Sequence, residues 1–139
     1  MKNFKLSEFF ASSTADKNGI INKPGLDEKA TVERNINSLV DNVLDPIRDE
    51  LCTPVVITSG YRCPQVNKLV GGANNSQHMS GCAADFHVQG FTSSMMRNVF
   101  LYIYDNMDFD QLIYYRNKNI IHVSYVENGN RHEAFLKKR

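Results

Sequence analysis

The chain of 139 residues has a formal net charge of +1, with 42% hydrophobic and 22% charged residues. These values are ordinary for a soluble globular protein, and the length suits one compact domain spanning residues 1–139. The near-neutral charge favours neither nucleic acid nor an anionic membrane, and no apolar run is long enough to span a bilayer. We therefore expect no nucleic-acid or membrane partner, and we expect a monomer.

The first ten residues lack an apolar segment followed by a cleavage site, so no Sec-type signal peptide is predicted. We expect synthesis in the cytoplasm, with access to an external substrate through a holin or another route. The three cysteines are an odd number and form no CxxC pair. This pattern favours reduced thiols over a disulfide framework or a thiolate zinc site.

The predicted elements begin with an N-terminal arm, residues 1–26, which packs on the rest of the domain and holds a short helical turn near Ser7. Residues 27–51 are predicted to be helical because apolar residues recur at three- and four-residue steps. Pro46 predicts a kink or a break just before it. The β-branched run at residues 54–58 predicts a strand.

The second half of the chain alternates between short strands and helices. The pattern predicts a helix at residues 64–70, a strand at residues 83–88, and a helix from Thr92 or Ser93 to about residue 106. Three further strand-like runs follow at residues 109–115, 120–126 and 133–136. The predicted fold class is α+β, with an antiparallel sheet packed against helices.

The runs at 109–115 and 120–126 predict a β-hairpin with its turn at Asn117 and Lys118. In this register Tyr115 pairs with Ile120, and Ile113 pairs with His122. One face then carries alternate residues of both strands: Gln111, Ile113, Tyr115, Ile120, His122 and Ser124. Asp110 falls on the other face, and a slip of one residue would reverse every assignment.

Three side chains are candidate metal ligands. His78 and Asp85 lie seven positions apart with small residues between them, and His122 lies in an apolar, strand-like run. Two imidazoles and one carboxylate can hold a zinc ion and leave its fourth position open for water, as catalytic sites do. The alternatives are a loop histidine, a surface acid and a hydrogen-bonded core histidine.

Several motifs follow one another in order along nearly the whole chain. They run from Phe4 to Phe9, Leu44 to Arg48, Ser59 to Arg62, Val70 to Gly72, Ser76 to His78, Gly81 to Asp85, Phe109 to Ile113 and His122 to Ser124. With them the chain resembles the M15 metallopeptidases, specifically the M15A-like branch of D-Ala-D-Ala carboxypeptidases and related peptidoglycan peptidases.

The resemblance implies the α+β fold that this group shares with the hedgehog signalling domain, and Zn²⁺ held by His78, Asp85 and His122. It implies that Arg62 pairs with a substrate carboxylate, which a planar guanidinium does well. The alternative for Arg62 is a bridge to a neighbouring acid. The implied activity is hydrolysis of the peptide stems of bacterial peptidoglycan, as a D,D-carboxypeptidase or an endopeptidase, in the setting of a phage or prophage endolysin.

One position departs from the family pattern. Relatives carry an acid near the metal as general base, and Tyr115 stands where that acid is expected. Tyr115 or Gln111 can instead donate a hydrogen bond to a tetrahedral oxyanion. Asp110 is the nearest acid, but the predicted register turns it away. Two later acids can reach the site only if the chain folds back over it: Glu127 and Glu133.

The missing acid keeps a second hypothesis open, in which the protein is a metal-bearing cell-wall-binding or signalling-type module that has lost catalysis. A third hypothesis is a host-facing or assembly role without a metal.

Overall fold

The structure is a computed structural model and describes residues 1–137. The helices are α1 (Ser13–Lys17), α2 (Lys29–Leu39), α3 (Asp45–Leu51), α4 (Pro64–Leu69) and α5 (Ser93–Asn106), with 3₁₀ turns at Leu6–Phe9 and Gln77–Ser80. The strands are β1 (Val55–Ser59), β2 (Ala83–Val88), β3 (Gln111–Tyr115), β4 (Ile120–Ser124) and β5 (Glu133–Lys137). The predicted α+β class is confirmed.

The five strands form one sheet in the order β1-β2-β4-β3-β5. The first four pair antiparallel, as predicted, whereas β5 pairs parallel with β3. The sheet is therefore mixed, and it departs from the predicted antiparallel pattern at this one strand. The reason is topological. In the β3–β4 hairpin, β4 ends next to the start of β3. The chain then crosses to the other edge of β3 at that same end, so β5 runs in the same direction as β3.

The long helical region is interrupted as its proline predicts, although the chain does not leave the helix. A π-helical turn, Val40–Leu44, joins α2 to α3, and the Asp45 N–H donates to the Val40 carbonyl. Pro46 then occupies the first turn of α3, where its missing N–H is least costly. Within the turn Val40, Val43 and Leu44 are fully buried, so the apolar stripe remains in the core.

The N-terminal arm is tied to the helices and to the start of the site. The Asp45 carboxylate accepts hydrogen bonds from the backbone N–H groups of Lys2 and Asn3 at 2.9 and 3.0 Å. Phe9 is fully buried, and its carbonyl accepts a 2.7 Å hydrogen bond from the Tyr61 N–H. Among residues 1–137, no helix combines the length and the apolar character needed to cross a membrane.

Candidate metal centre

The two faces of the sheet have different roles. In β2, Ala84, Phe86 and Val88 are at most 1% exposed and pack in the core. Because side chains alternate along a strand, Asp85 points to the opposite face. Asp85 lies directly across from His122 on β4, so the two side chains are neighbours on that face.

The predicted hairpin register is confirmed. Tyr115 pairs with Ile120, and Ile113 pairs with His122. His122 therefore has Asp85 on one side and Ile113 on the other. Strand pairing alone thus brings two of the three candidate ligands together.

The third candidate ligand, His78, comes from the 3₁₀ turn at Gln77–Ser80. The Ser76 hydroxyl accepts a hydrogen bond from the His78 N–H at 3.2 Å and holds the start of this turn. His78 Nδ1 lies 2.7 Å from the Gly60 carbonyl oxygen. A carbonyl only accepts, so Nδ1 carries a proton, and in the neutral ring Nε2 has a free lone pair for a metal.

The three ligand atoms converge. His78 Nε2 lies 3.3 Å from Asp85 Oδ1, and His122 Nδ1 lies 2.8 Å from the same oxygen. One atom from each residue can be chosen so that all lie within 4.8 Å of one another. Zinc–ligand bonds of about 2.0–2.1 Å separate tetrahedral ligands by roughly 3.3 Å. The donor set and its spacing therefore fit Zn²⁺.

The Asp85 carboxylate is held in its ionised form. Burial by itself raises the pKa of Asp85. When the imidazoles of His122 and His78 are protonated, their hydrogen bonds and their charges outweigh burial and leave the pKa of Asp85 below its ordinary value. An ionised carboxylate is the form that coordinates a metal.

Arg62 contacts the second oxygen of this carboxylate. Its Nη2 lies 3.3 Å from Asp85 Oδ2, and its Nε donates to the Ser59 hydroxyl at 3.0 Å. Burial lowers the pKa of Arg62, while the charge of Asp85 raises it. The structure thus contains the bridge to a neighbouring acid that the sequence left as an alternative. The substrate role of Arg62 stays a prediction, and the two are compatible because Arg62 also lines the cavity described next.

A cavity of about 840 Å³ opens over the three ligands. Tyr115 and Gln111 line it, as the predicted hairpin face requires. Burial raises the pKa of Tyr115, and the charge of Asp85 adds to the effect, so the phenol keeps its proton and can act as a donor. Among the described residues that line the cavity, Asp85 is the sole carboxylate.

The other acids considered as general base lie elsewhere. Asp110 is 4% exposed and is absent from the cavity lining, in agreement with its predicted face. Glu127 pairs with Arg34 at 3.5 Å, and Glu133 pairs with Arg131 at 3.5 Å.

Sequence reasoning missed three residues that shape the site. The first is Gly60, whose carbonyl orients His78. The second and third are Gln77 and Arg131, which line the cavity and both contact Asp110. Gly60 lies within the Ser59–Arg62 motif, which could have drawn attention to it, whereas no signal in the sequence links Arg131 to Asp110.

The fold and the site together define a metallopeptidase-type centre, in which two histidines and an aspartate converge at the floor of an open cavity. The family profile described as Peptidase M15 matches residues 2–124, and the chain belongs to that family. M15 peptidases are typically zinc-dependent, which agrees with the donor set. No curated protein matches the chain.

Proposed function

We propose that this protein is a zinc-dependent peptidase that hydrolyses the peptide stems of bacterial peptidoglycan, as a D,D-carboxypeptidase or an endopeptidase. The observation that carries the proposal is the convergence of His78, Asp85 and His122 beneath the cavity, in a chain of the M15 family. An open cavity of this size suits a peptide segment, since small-molecule sites commonly measure about 300–1,000 Å³.

The chain's own residues suggest how a peptide would be held. When bound, zinc supplies Lewis-acid activation of the scissile carbonyl and of water. Arg62 orients Asp85 and offers its remaining donors to a substrate carboxylate. Tyr115, which stays protonated, donates a hydrogen bond to the oxyanion that develops on the scissile carbonyl.

A second candidate function is a metal-bearing module that binds cell walls without cleaving them. The observation that favours it is the absence of any carboxylate besides Asp85 from the described cavity lining. A general base within reach of the attacking water usually contributes about 10²–10⁴-fold to the rate. A protein without this general base would still bind the cell wall but would cleave it slowly.

One experiment separates the two functions. Zinc-loaded protein is incubated with purified peptidoglycan, and the soluble products are analysed by mass spectrometry. Released D-Ala supports a carboxypeptidase, and released stem fragments support an endopeptidase, provided that His78→Ala abolishes both. Sedimentation of the protein with the cell walls, without any product, would overturn the peptidase and support the binding module. Neither product nor sedimentation would contradict both functions.

A further inference from the structure

Arg131 lies beyond the part of the chain that matches the family profile, which ends at residue 124, and it nevertheless lines the cavity. The parallel pairing of β5 with β3 brings it there, because Arg131 lies two residues before the start of β5. Its backbone N–H and its Nε both donate to Asp110 Oδ1, at 3.0 and 3.1 Å. Its Nη2 donates to Asp110 Oδ2 at 2.9 Å.

These hydrogen bonds fix the guanidinium without using all of it. Asp110 takes up the backbone N–H, Nε and one Nη2 donor, and it lies outside the cavity lining. The Nη1 group has Glu133 at 3.5 Å as its acidic neighbour. The side chains of Arg131 and Glu133 are 54% and 41% exposed, so this second pair is weak. A guanidinium that is already held in place loses little entropy when it binds a ligand.

The charges around the cavity also favour an anion. The charged residues of its described lining, apart from the two histidines, are three cations and one acid: Arg62, Lys118, Arg131 and Asp85. Arg62 contacts Asp85 on β2, whereas Arg131 lies near β3 and β5. In the strand order, β4, which carries His122, lies between these two positions. A ligand with one anionic group at each side can therefore span the metal centre.

We propose that Arg131 is a specificity-determining residue that binds a second carboxylate of the substrate, separate from the one near Arg62. This inference rests on the proposed peptidase function and specifies its substrate class: a stem peptide with an acidic residue whose side-chain or α-carboxylate is free instead of amidated. Glu133 weakens this preference for a free carboxylate, because its own carboxylate competes with the substrate for Arg131 Nη1.

The test compares two peptides that are identical except at one glutamate, which carries either a free carboxylate or the carboxamide. Zinc-loaded wild-type protein should cleave the acid with a kcat/KM about ten-fold higher than the amide, the size expected for one charge-assisted hydrogen bond. Arg131→Gln should bring this ratio close to one, and Glu133→Gln should raise it. Arg34→Gln removes the same charge from an exposed residue that does not line the cavity, and it should leave the ratio unchanged.

Equal cleavage of both peptides by the wild type would overturn the inference and leave the peptidase function standing. A loss of activity in Arg131→Gln that affects both peptides alike, with the preference retained, would also overturn it and assign Arg131 a structural role. If Arg131→Gln does not fold, Glu133→Gln decides, because Glu133 bonds to Asp110 only through its backbone N–H, at 3.0 Å from the Asp110 carbonyl oxygen, which the substitution keeps. An unchanged ratio would then refute the inference.

If the wild type cleaves neither peptide, the failure belongs to the proposed function, and binding decides the role of Arg131. Calorimetry with the metal-free protein should then give a several-fold lower Kd for the acid than for the amide. Arg131→Gln should remove that difference. Equal wild-type affinities would overturn the inference.

Discussion

Gln77 donates a 2.8 Å hydrogen bond from its side-chain amide to the carboxylate of Asp110. Gln77 precedes the candidate ligand His78, and Asp110 precedes β3, so this contact ties the histidine turn to the hairpin that carries His122. Asp110 also binds Arg131 through both of its oxygens. One buried carboxylate therefore connects three segments around the metal centre.

Replacing Asp110 should destabilise the protein at neutral pH. Hydrogen bonds from Arg131 lower the pKa of Asp110 to about 2, although burial opposes them, and the ordinary value is 3.8. This lowering of the Asp110 pKa corresponds to about 2 kcal/mol of unfolding free energy. The contribution is fully present above the ordinary pKa and is lost as the pH falls through about 2. We expect Asp110→Asn to lower the free energy of unfolding by about this amount at pH 7, with urea unfolding as the measurement.

The pH dependence distinguishes this mechanism from a simple loss of packing. The difference in unfolding free energy between the wild type and Asp110→Asn should become smaller as the pH falls below about 4. The matched control is Asp108→Asn, at an exposed aspartate, and its unfolding free energy should equal that of the wild type. A gap of constant size at every pH would contradict the role of the ionised carboxylate.

Loss of a candidate ligand should abolish tight metal binding. We expect wild-type protein to bind one zinc per chain. Mutation of a residue that only contacts a metal ligand typically lowers metal affinity by roughly 10–100-fold, and we expect His122→Ala to lower zinc affinity by more than that. Competition with a chromophoric chelator measures the affinity. The control is His132→Ala, since His132 stacks on Phe109 at 4.1 Å and does not belong to the cluster. Equal weakening in both variants would refute the assignment.

Arg62→Lys should affect the metal as well as the substrate. The guanidinium holds Asp85 Oδ2 and the Ser59 hydroxyl together, and a lysine ammonium cannot reproduce that fork. We expect zinc affinity to fall about ten-fold, as for other outer partners of metal ligands. A raised KM with unchanged zinc affinity would show that Arg62 serves the substrate alone.

Tyr115→Phe should lower kcat while leaving KM nearly unchanged. Removing one oxyanion donor typically costs about 10²–10³ in kcat, and we expect the lower part of that range. The measurement is steady-state cleavage of a stem peptide by the zinc-loaded protein. Tyr104→Phe, at a half-exposed tyrosine that does not line the cavity, should behave as the wild type. Equal kcat values in the two variants would remove Tyr115 from the mechanism.

Tyr115→Glu tests the missing base directly. The substitution places a carboxylate in the described lining of the cavity, where Asp85 is the sole acid. If the absence of a base limits turnover, the kcat of Tyr115→Glu should exceed that of Tyr115→Phe, which lacks the same phenol, by at least about ten-fold, within the range typical of general-base catalysis. A lower kcat than in Tyr115→Phe would show that proton transfer from water is not the limiting step.

Gly60→Ala should weaken both the fold and the metal site. A Cβ at this position would lie 2.6 Å from the Phe9 carbonyl oxygen and 2.7 Å from the Phe9 Cα. The clashing atoms belong to the backbone, so the arm or the Gly60 carbonyl that orients His78 must move. We expect a loss of about 1–3 kcal/mol in unfolding free energy, together with reduced zinc affinity.

The matched control for Gly60 is Gly25→Ala. The nearest atom to a Cβ there is a side-chain oxygen of Asp27 at 3.1 Å, which can move aside. Gly25→Ala should therefore change neither stability nor zinc affinity by much. Zinc affinity unaffected by Gly60→Ala would contradict the role of the Gly60 carbonyl.

The sequence by itself determined the features that depend on local backbone geometry. Alternation with period two set the hairpin register and placed Gln111, Tyr115 and His122 on one face and Asp110 on the other. The helical period and Pro46 located the long helix and its interruption. The ordered motifs pointed to the M15 family, which the profile match confirms.

Only the tertiary structure decided the contacts between residues distant along the chain. These are the hydrogen bond from His78 to the Gly60 carbonyl, the contact between Arg62 and Asp85, and the parallel strand β5 that brings Arg131 to Asp110. A periodic pattern specifies which side of an element a residue occupies, but not which distant segment will lie against it. That choice is made when the whole chain closes around its core, because each of these polar groups finds its partner only once the segments between them have packed.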